Sequence, residues 1–142
     1  MREFFDTSVL VAAFWGGHAQ HTASLRLLAD ANKKHSACGM HSLAEVYAVM
    51  SAMPVAPVIP PEQVMLFVNE LRERLTLLSL DEAEYLTAIQ GCVDRSFTGG
   101  KVYDALLLGC AGKSKAQTIY TWNLKHFQLI APELASRIRT PQ

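Results

Sequence analysis

Arg2-Glu3-Phe4-Phe5-Asp6-Thr7-Ser8-Val9-Leu10-Val11-Ala12-Ala13 is the stretch that decides the fold. A short β-type run ends on an acid, and a run of small and apolar residues starts at once. The order is strand, carboxylate, helix. In an open α/β sheet, sites are built outside the carboxyl ends of the strands. Asp6 stands at such an end. It also opens Asp-Thr-Ser, a good N-cap sequence, so a side-chain oxygen bonded to free helix N–H groups explains it equally well. Taken alone, Asp6 leaves both readings open.

Outward from this unit, the pattern repeats. Trp15-Gly16-Gly17 is a turn, and His18 to Lys34 reads as a helix, with Ala19, Ala23, Leu27 and Ala31 recurring every four residues. His18 and His21 have no third ligand nearby and read as surface or packing residues. His35 to Gly39 is a strand candidate that feeds a helix over 41–52, striped by Leu43, Val46, Tyr47 and Met50. Pro54, Pro57, Pro60 and Pro61 make a stiff connector, and Pro61 suits the first turn of a helix running to Arg74. Leu75 to Leu80 reads as a buried strand. Asp81 caps a helix to about Ser96, with Ala83, Leu86 and Ile89 on one face. After Thr98-Gly99-Gly100, residues 102–113 form a strongly apolar helix. Thr118 to Thr121 is a β-branched strand, Leu124 to Phe127 a turn, and Gln128 to Ile130 a last edge strand before Pro132. Strands and helices that alternate in this way predict one domain over 1–142, an α/β fold whose mostly parallel sheet is covered on both faces.

The composition narrows the class. Half of the 142 residues are hydrophobic and 18% are charged, which suits a compact fold with buried strands rather than disorder. No apolar run reaches the roughly 18–20 residues of a membrane span. Met1-Arg2-Glu3 leads into a strand without a signal-peptide core, so a cytosolic protein is expected. Cys38, Cys92 and Cys110 lack the spacing of a zinc or redox motif and read as buried thiols. The net charge is zero, which excludes the overall basic footprint of many nucleic-acid binders. The distribution is skewed: from Glu62 to Asp94 there are seven acids and two bases, and from Lys101 onward six bases and two acids. The skew favours an anionic partner near the C-terminal third.

Four polar residues stand out against this apolar background: Asp6, Glu45, Asp104 and Asn123. Glu45 and Asp104 are the only acids of their helices, and Asn123 follows the Thr118–Thr121 strand. Each has an ordinary explanation: an exposed position for Glu45, the helix dipole for Asp104, a turn for Asn123. Together they suggest more. Gathered at the carboxyl edge of a parallel sheet, three carboxylates and an amide oxygen form a hard donor set suited to Mg²⁺ or Mn²⁺. Such an ion can present a water to a phosphodiester. Like charges held together would also raise a carboxylate pKa when the ion is absent.

This pattern resembles the PIN-domain family, and within it the VapC-like toxin ribonucleases of bacterial toxin–antitoxin pairs. Asp6-Thr7-Ser8-Val9-Leu10 is similar to the family's opening motif, and Glu45 in Leu43-Ala44-Glu45-Val46-Tyr47 to its helix acid. Gly99-Gly100-Lys101-Val102-Tyr103-Asp104-Ala105-Leu106 is similar to its glycine pair before the third acid. Thr121-Trp122-Asn123, with Phe127 four residues on, is similar to its closing motif. The resemblance spans Arg2 to Phe127. It implies a three-layer α/β/α sandwich, one or two divalent ions, single-stranded RNA as substrate, a homodimer and a cognate antitoxin.

On that resemblance, Asp6, Asp104 and Glu45 are the expected metal ligands, with Glu45 holding or deprotonating a water. Asn123 and the hydroxyls of Thr7, Ser8 and Thr121 are expected to complete the surroundings, an arrangement that matters nearly as much as the ligands. Lys101, Lys125 and His126 are candidate contacts to RNA phosphates. The family often has Asp where this chain has Asn123, which favours a single cation. Two other readings remain at this stage. A phosphotransfer domain would want an acidic pair after the first strand, or a second Asp where Ser8 stands. A non-catalytic RNA- or protein-binding module on the same fold would carry an idle cluster of acids at a cost in stability.

Overall fold

The computed structural model describes residues 1–142. Five short parallel strands form one sheet in the order β3-β2-β1-β4-β5: β1 (Glu3–Phe5), β2 (Ser36–Gly39), β3 (Thr76–Leu78), β4 (Thr118–Tyr120) and β5 (Ile138–Arg139). The helices are α1 (Thr7–Phe14), α2 (His21–Ala29), α3 (His41–Ser51), α4 (Pro61–Arg74), α5 (Glu82–Asp94), α6 (Lys101–Ser114) and α7 (Leu124–Ile130), followed by a 3₁₀ segment (Pro132–Arg137). β1 lies at the centre, paired with β2 on one side and β4 on the other. The strand order therefore reverses direction around β1, where α/β sheets open their crevice.

Side chains alternate across a strand, and the two phenylalanines of β1 show this. Phe5 faces a core built with α1, α2, α3 and α4, including Leu10, Val46, Met50 and Leu71. Phe4 faces the other core, built with α6 and α7, including Leu108, Ile119, Phe127 and Ile130. Both phenylalanines are fully buried. Helices thus cover both faces of the sheet, giving the α/β/α sandwich. Gly39 lets β2 approach α6 closely: a Cβ there would stand 2.7 Å from Leu107 Cδ2. Gly99 has a positive φ of 64°, which the turn before α6 requires. No helix is long and apolar enough to cross a membrane.

Pro61 does begin α4, and Asp81 caps α5 through a reciprocal capping box with Glu84. The three cysteines are free and buried. Three expectations need correction. The helix over 18–34 is shorter, His21–Ala29, because Asn32 Oδ1 accepts from the backbone N–H of Lys34 and His35 and holds a turn there. Gln128 to Ile130 is no strand, and Leu124 to Phe127 is no mere turn. Both belong to α7, whose Phe127 and Ile130 are buried one turn apart against the sheet. The edge strand is β5 instead. Finally, the run from Leu75 to Leu80 is not a buried strand: only Thr76–Leu78 forms the strand, at the edge of the sheet, and all three of its residues are half-buried because β3 has a neighbour on one side only.

Candidate active site

The carboxyl edge of the sheet is organised around Asp6. Its backbone N–H donates to Tyr120 O at 2.9 Å, extending the β1–β4 pairing by one residue. The side chain then turns into the molecule and is only 3% exposed. Three donors reach one of its oxygens, Oδ2: Ser8 Oγ at 2.6 Å, Thr121 Oγ1 at 2.9 Å and Ser8 N at 3.3 Å. Asp6 is therefore an N-cap, and it is also more than one. An ordinary cap carboxylate sits in water, whereas burial here pushes the acid's pKa up. The Ser8 and Thr121 bonds pull it back down, and the charge of Asp104 raises it further.

The two hydroxyls tie Asp6 to the turn after β4. A hydroxyl has one proton to give. Ser8 Oγ gives it to Asp6 and accepts from Trp122 N at 3.0 Å. Thr121 Oγ1 gives its own to Asp6 and accepts from Asn123 N at 3.0 Å. Residues more than a hundred positions apart are thereby locked together. Asn123 is held here through its backbone, while its side chain is exposed and caps nothing in α7.

Glu45 enters from α3. Its Oε1 accepts from Thr7 Oγ1 at 3.1 Å, and His41 Nε2 lies 4.0 Å away. Because Thr7 gives its proton to Glu45, the fully buried Ser42 must donate its own to Thr7, at 2.9 Å. Burial raises the Glu45 pKa, the Thr7 bond and His41 lower it, and the charges of Asp6 and Asp104 raise it again. Asp104 enters from the first turn of α6. Its Oδ2 is bonded to His126 Nε2 at 2.8 Å, and its pKa is raised by burial against the opposing pull of His126.

One regularity joins the three acids. The protein engages each on a single oxygen: Oδ2 of Asp6, Oε1 of Glu45, Oδ2 of Asp104. The second oxygen of each carboxylate is left without a protein donor. Hard, half-satisfied carboxylates that repel one another are the donor set an oxygen-seeking divalent cation requires. As they stand, no three of the acids, cysteines and histidines are close enough to enclose one ion.

The flanking residues are less uniform. Lys125 is exposed, and Lys101 Nζ lies 5.3 Å above the Phe97 ring. His126 spends its Nε2 on Asp104 rather than facing solvent freely. His18 and His21 are bound to backbone, through Gln20 N and Ala12 O, and neither is bonded to an acid. Sequence reasoning passed over Ser42 and His41. His41 could have been found, since it lies one helical turn before Glu45 on the same face. Ser42 carries no such signal.

The PIN domain family matches residues 4–130. Ribonuclease VapC40 of Mycobacterium tuberculosis is 32% identical over 124 residues, covering 84% of this chain and 85% of its own. Ribonuclease VapC27 of the same organism is 30% identical over 112 residues, covering 79% and 78%. Among solved structures, VapC20 of Mycobacterium tuberculosis, a sarcin–ricin loop cleaving toxin, has a TM-score of 0.70 at 17% identity over 87% of this chain and 92% of that one. VapBC2 of Rickettsia felis, solved with a DNA fragment from its promoter, has a TM-score of 0.67 at 22% identity over the whole of both chains. VapBC-1 of nontypeable Haemophilus influenzae has a TM-score of 0.66 at 16% identity, covering 99% and 98%. The three structures share the fold.

Proposed function

The chain belongs to the PIN-domain family, and from that premise we propose that it is a divalent-metal-dependent endoribonuclease, the toxin of a toxin–antitoxin pair. Residues 1–142 act as one unit, in the cytoplasm, as a homodimer restrained by a cognate antitoxin. The observation that carries the chemistry is the half-satisfied state of Asp6, Glu45 and Asp104. Their free oxygens would hold Mg²⁺ or Mn²⁺. When bound, the ion supplies charge neutralisation at the phosphodiester and activates water.

The remaining work belongs to the chain's own groups. Ser8 and Thr121 fix the rotamer of Asp6, and Thr7 fixes that of Glu45. Glu45, with its raised pKa, is suited to take the proton of an attacking water. Asn123 offers a neutral amide oxygen where a fourth carboxylate would add charge, which favours one cation over two. Lys101 and Lys125 meet backbone phosphates, making binding fall with salt. His126 acts on Asp104 instead.

The test is incubation of the purified chain, free of antitoxin, with a panel of structured RNAs in Mg²⁺, in Mn²⁺ and in EDTA. Endonucleolytic cleavage that needs the cation supports the reading. Cleavage undiminished in EDTA overturns the metal dependence. RNA binding without cleavage under any cation would favour the non-catalytic module.

A further inference from the structure

The helices that carry Glu45 and Asp104 meet through two aromatic rings. His41, one turn before Glu45 on α3, stacks on Tyr103, the neighbour of Asp104 on α6. The ring centroids are 5.4 Å apart and the planes 11° from parallel. Neither ring belongs to a core cluster. Tyr103 is 50% exposed, and the His41 side chain 36%. A flat, half-open pair of rings thus stands beside two of the three acids, with His41 Nε2 4.0 Å from Glu45 Oε1 and Tyr103 next to Asp104 in the chain.

We propose that the His41–Tyr103 stack is a base-binding subsite that takes one unpaired nucleobase of the RNA beside the phosphate being cut. This rests on the ribonuclease reading and adds to it how the strand is seated. The rings are too close for a third to slip between them, so a base adds to the open side of the stack. A nucleobase is neutral and offers a π-face, so it can lie beside carboxylates that repel any phosphate without a cation. Lys101, two residues before Tyr103, provides a charge for the flanking phosphate. Bases in a duplex have both faces covered, so the subsite selects single-stranded or looped RNA. Stacking of this kind tolerates any base. The subsite therefore selects for an unpaired nucleotide and leaves sequence choice to other contacts.

The experiment uses single-stranded RNAs that the wild-type chain cleaves in Mn²⁺, with 2-aminopurine or an abasic residue placed at each position in turn. Stopped-flow fluorescence reads stacking before cleavage, and kcat/KM is measured in parallel. The wild type should quench 2-aminopurine at one position next to the cut and lose about tenfold in kcat/KM when that base is missing. Tyr103→Leu should lose the quench, lose about tenfold on intact RNA, and become indifferent to the abasic change; Tyr103→Phe should retain all three properties. Thermal melting checks that each variant is folded. If Tyr103→Leu fails to fold, the abasic series on the wild type and Tyr103→Phe decides. Cleavage equally fast at every abasic position, or a folded Tyr103→Leu that keeps the quench and the abasic penalty, overturns the subsite alone. A wild-type chain that neither quenches nor cleaves any RNA overturns the ribonuclease reading with it.

Discussion

The acid-lined edge of the sheet and the groove beside α5 are opposites. The groove is a hollow of about 840 Å³ between α5, α6 and the 3₁₀ segment. It is lined by residues such as Leu80, Cys92, Phe97, Leu108 and Leu134, and closed at its rim by Lys113–Glu84 and Arg95–Glu133. None of Asp6, Glu45, Asp104 or Asn123 reaches it. By volume and apolarity it is the default binding site. By chemistry it has little to offer a phosphodiester: Glu84, Lys113, Arg95 and Glu133 are paired with one another, Lys115 is its one further charge, and it gathers no set of free carboxylates. The acid edge holds three carboxylates with raised pKa values and oxygens to spare. Perturbed titratable groups locate this site better than hollow space does.

The contrast can be broken most decisively by activity. Asp6→Asn and Asp104→Asn should each lower the RNA cleavage rate at least about a hundredfold, since even groups one step removed from a metal are worth 10–100-fold. Leu134→Ala, in the groove, should leave cleavage within about twofold. Equal losses in both regions would dissolve the distinction.

Stability should rank differently. Ser8→Ala removes the shortest bond to Asp6 and leaves Trp122 N–H without its acceptor, at a cost of about 1–3 kcal/mol in denaturant unfolding. Leu134→Ala removes partly buried apolar surface and should cost about 1–2 kcal/mol. Breaking the Lys113–Glu84 pair with Lys113→Met should leave the melting temperature unchanged, because the pair is exposed to solvent.

The acids also give the metal-free protein a pH signature. Burial raises the Asp6 pKa in the folded state above its unfolded value. Stability from the protonated acid is then fully present below the unfolded pKa and lost as pH rises through the folded one. Metal-free Asp6→Asn should therefore gain on the wild type in melting temperature as pH climbs from acid to neutral. A constant difference across that range would mean that Asp6 is not desolvated as described.

Much of this was legible beforehand because it is local. A β run ending on Asp6 before small residues marks a strand-to-helix turn. Pro61 and Asp81 mark helix starts by their own backbone chemistry. The misread end of the chain is the converse case. Gln128-Leu129-Ile130 is a short apolar run that fits strand or helix equally. What decided it was burial of Phe127 and Ile130 on a sheet formed by distant strands. β5 is only two residues long and carries no periodic signal. At the site, Asp6 could be picked out as the acid that ends the first strand, and Glu45 and Asp104 as lone charges in apolar helices. The Ser8–Thr121 web and the His126–Asp104 bond could not, because they join segments 113 and 22 residues apart and exist only once the sheet has formed.

The most direct test of the central claim is calorimetric titration of Mn²⁺ into the wild-type chain and into Asp104→Asn, with melting curves to show that both are folded. The account predicts saturable binding to the wild type and at least about tenfold weaker binding to the variant. Unchanged affinity in Asp104→Asn, or no binding to the folded wild type, would contradict it.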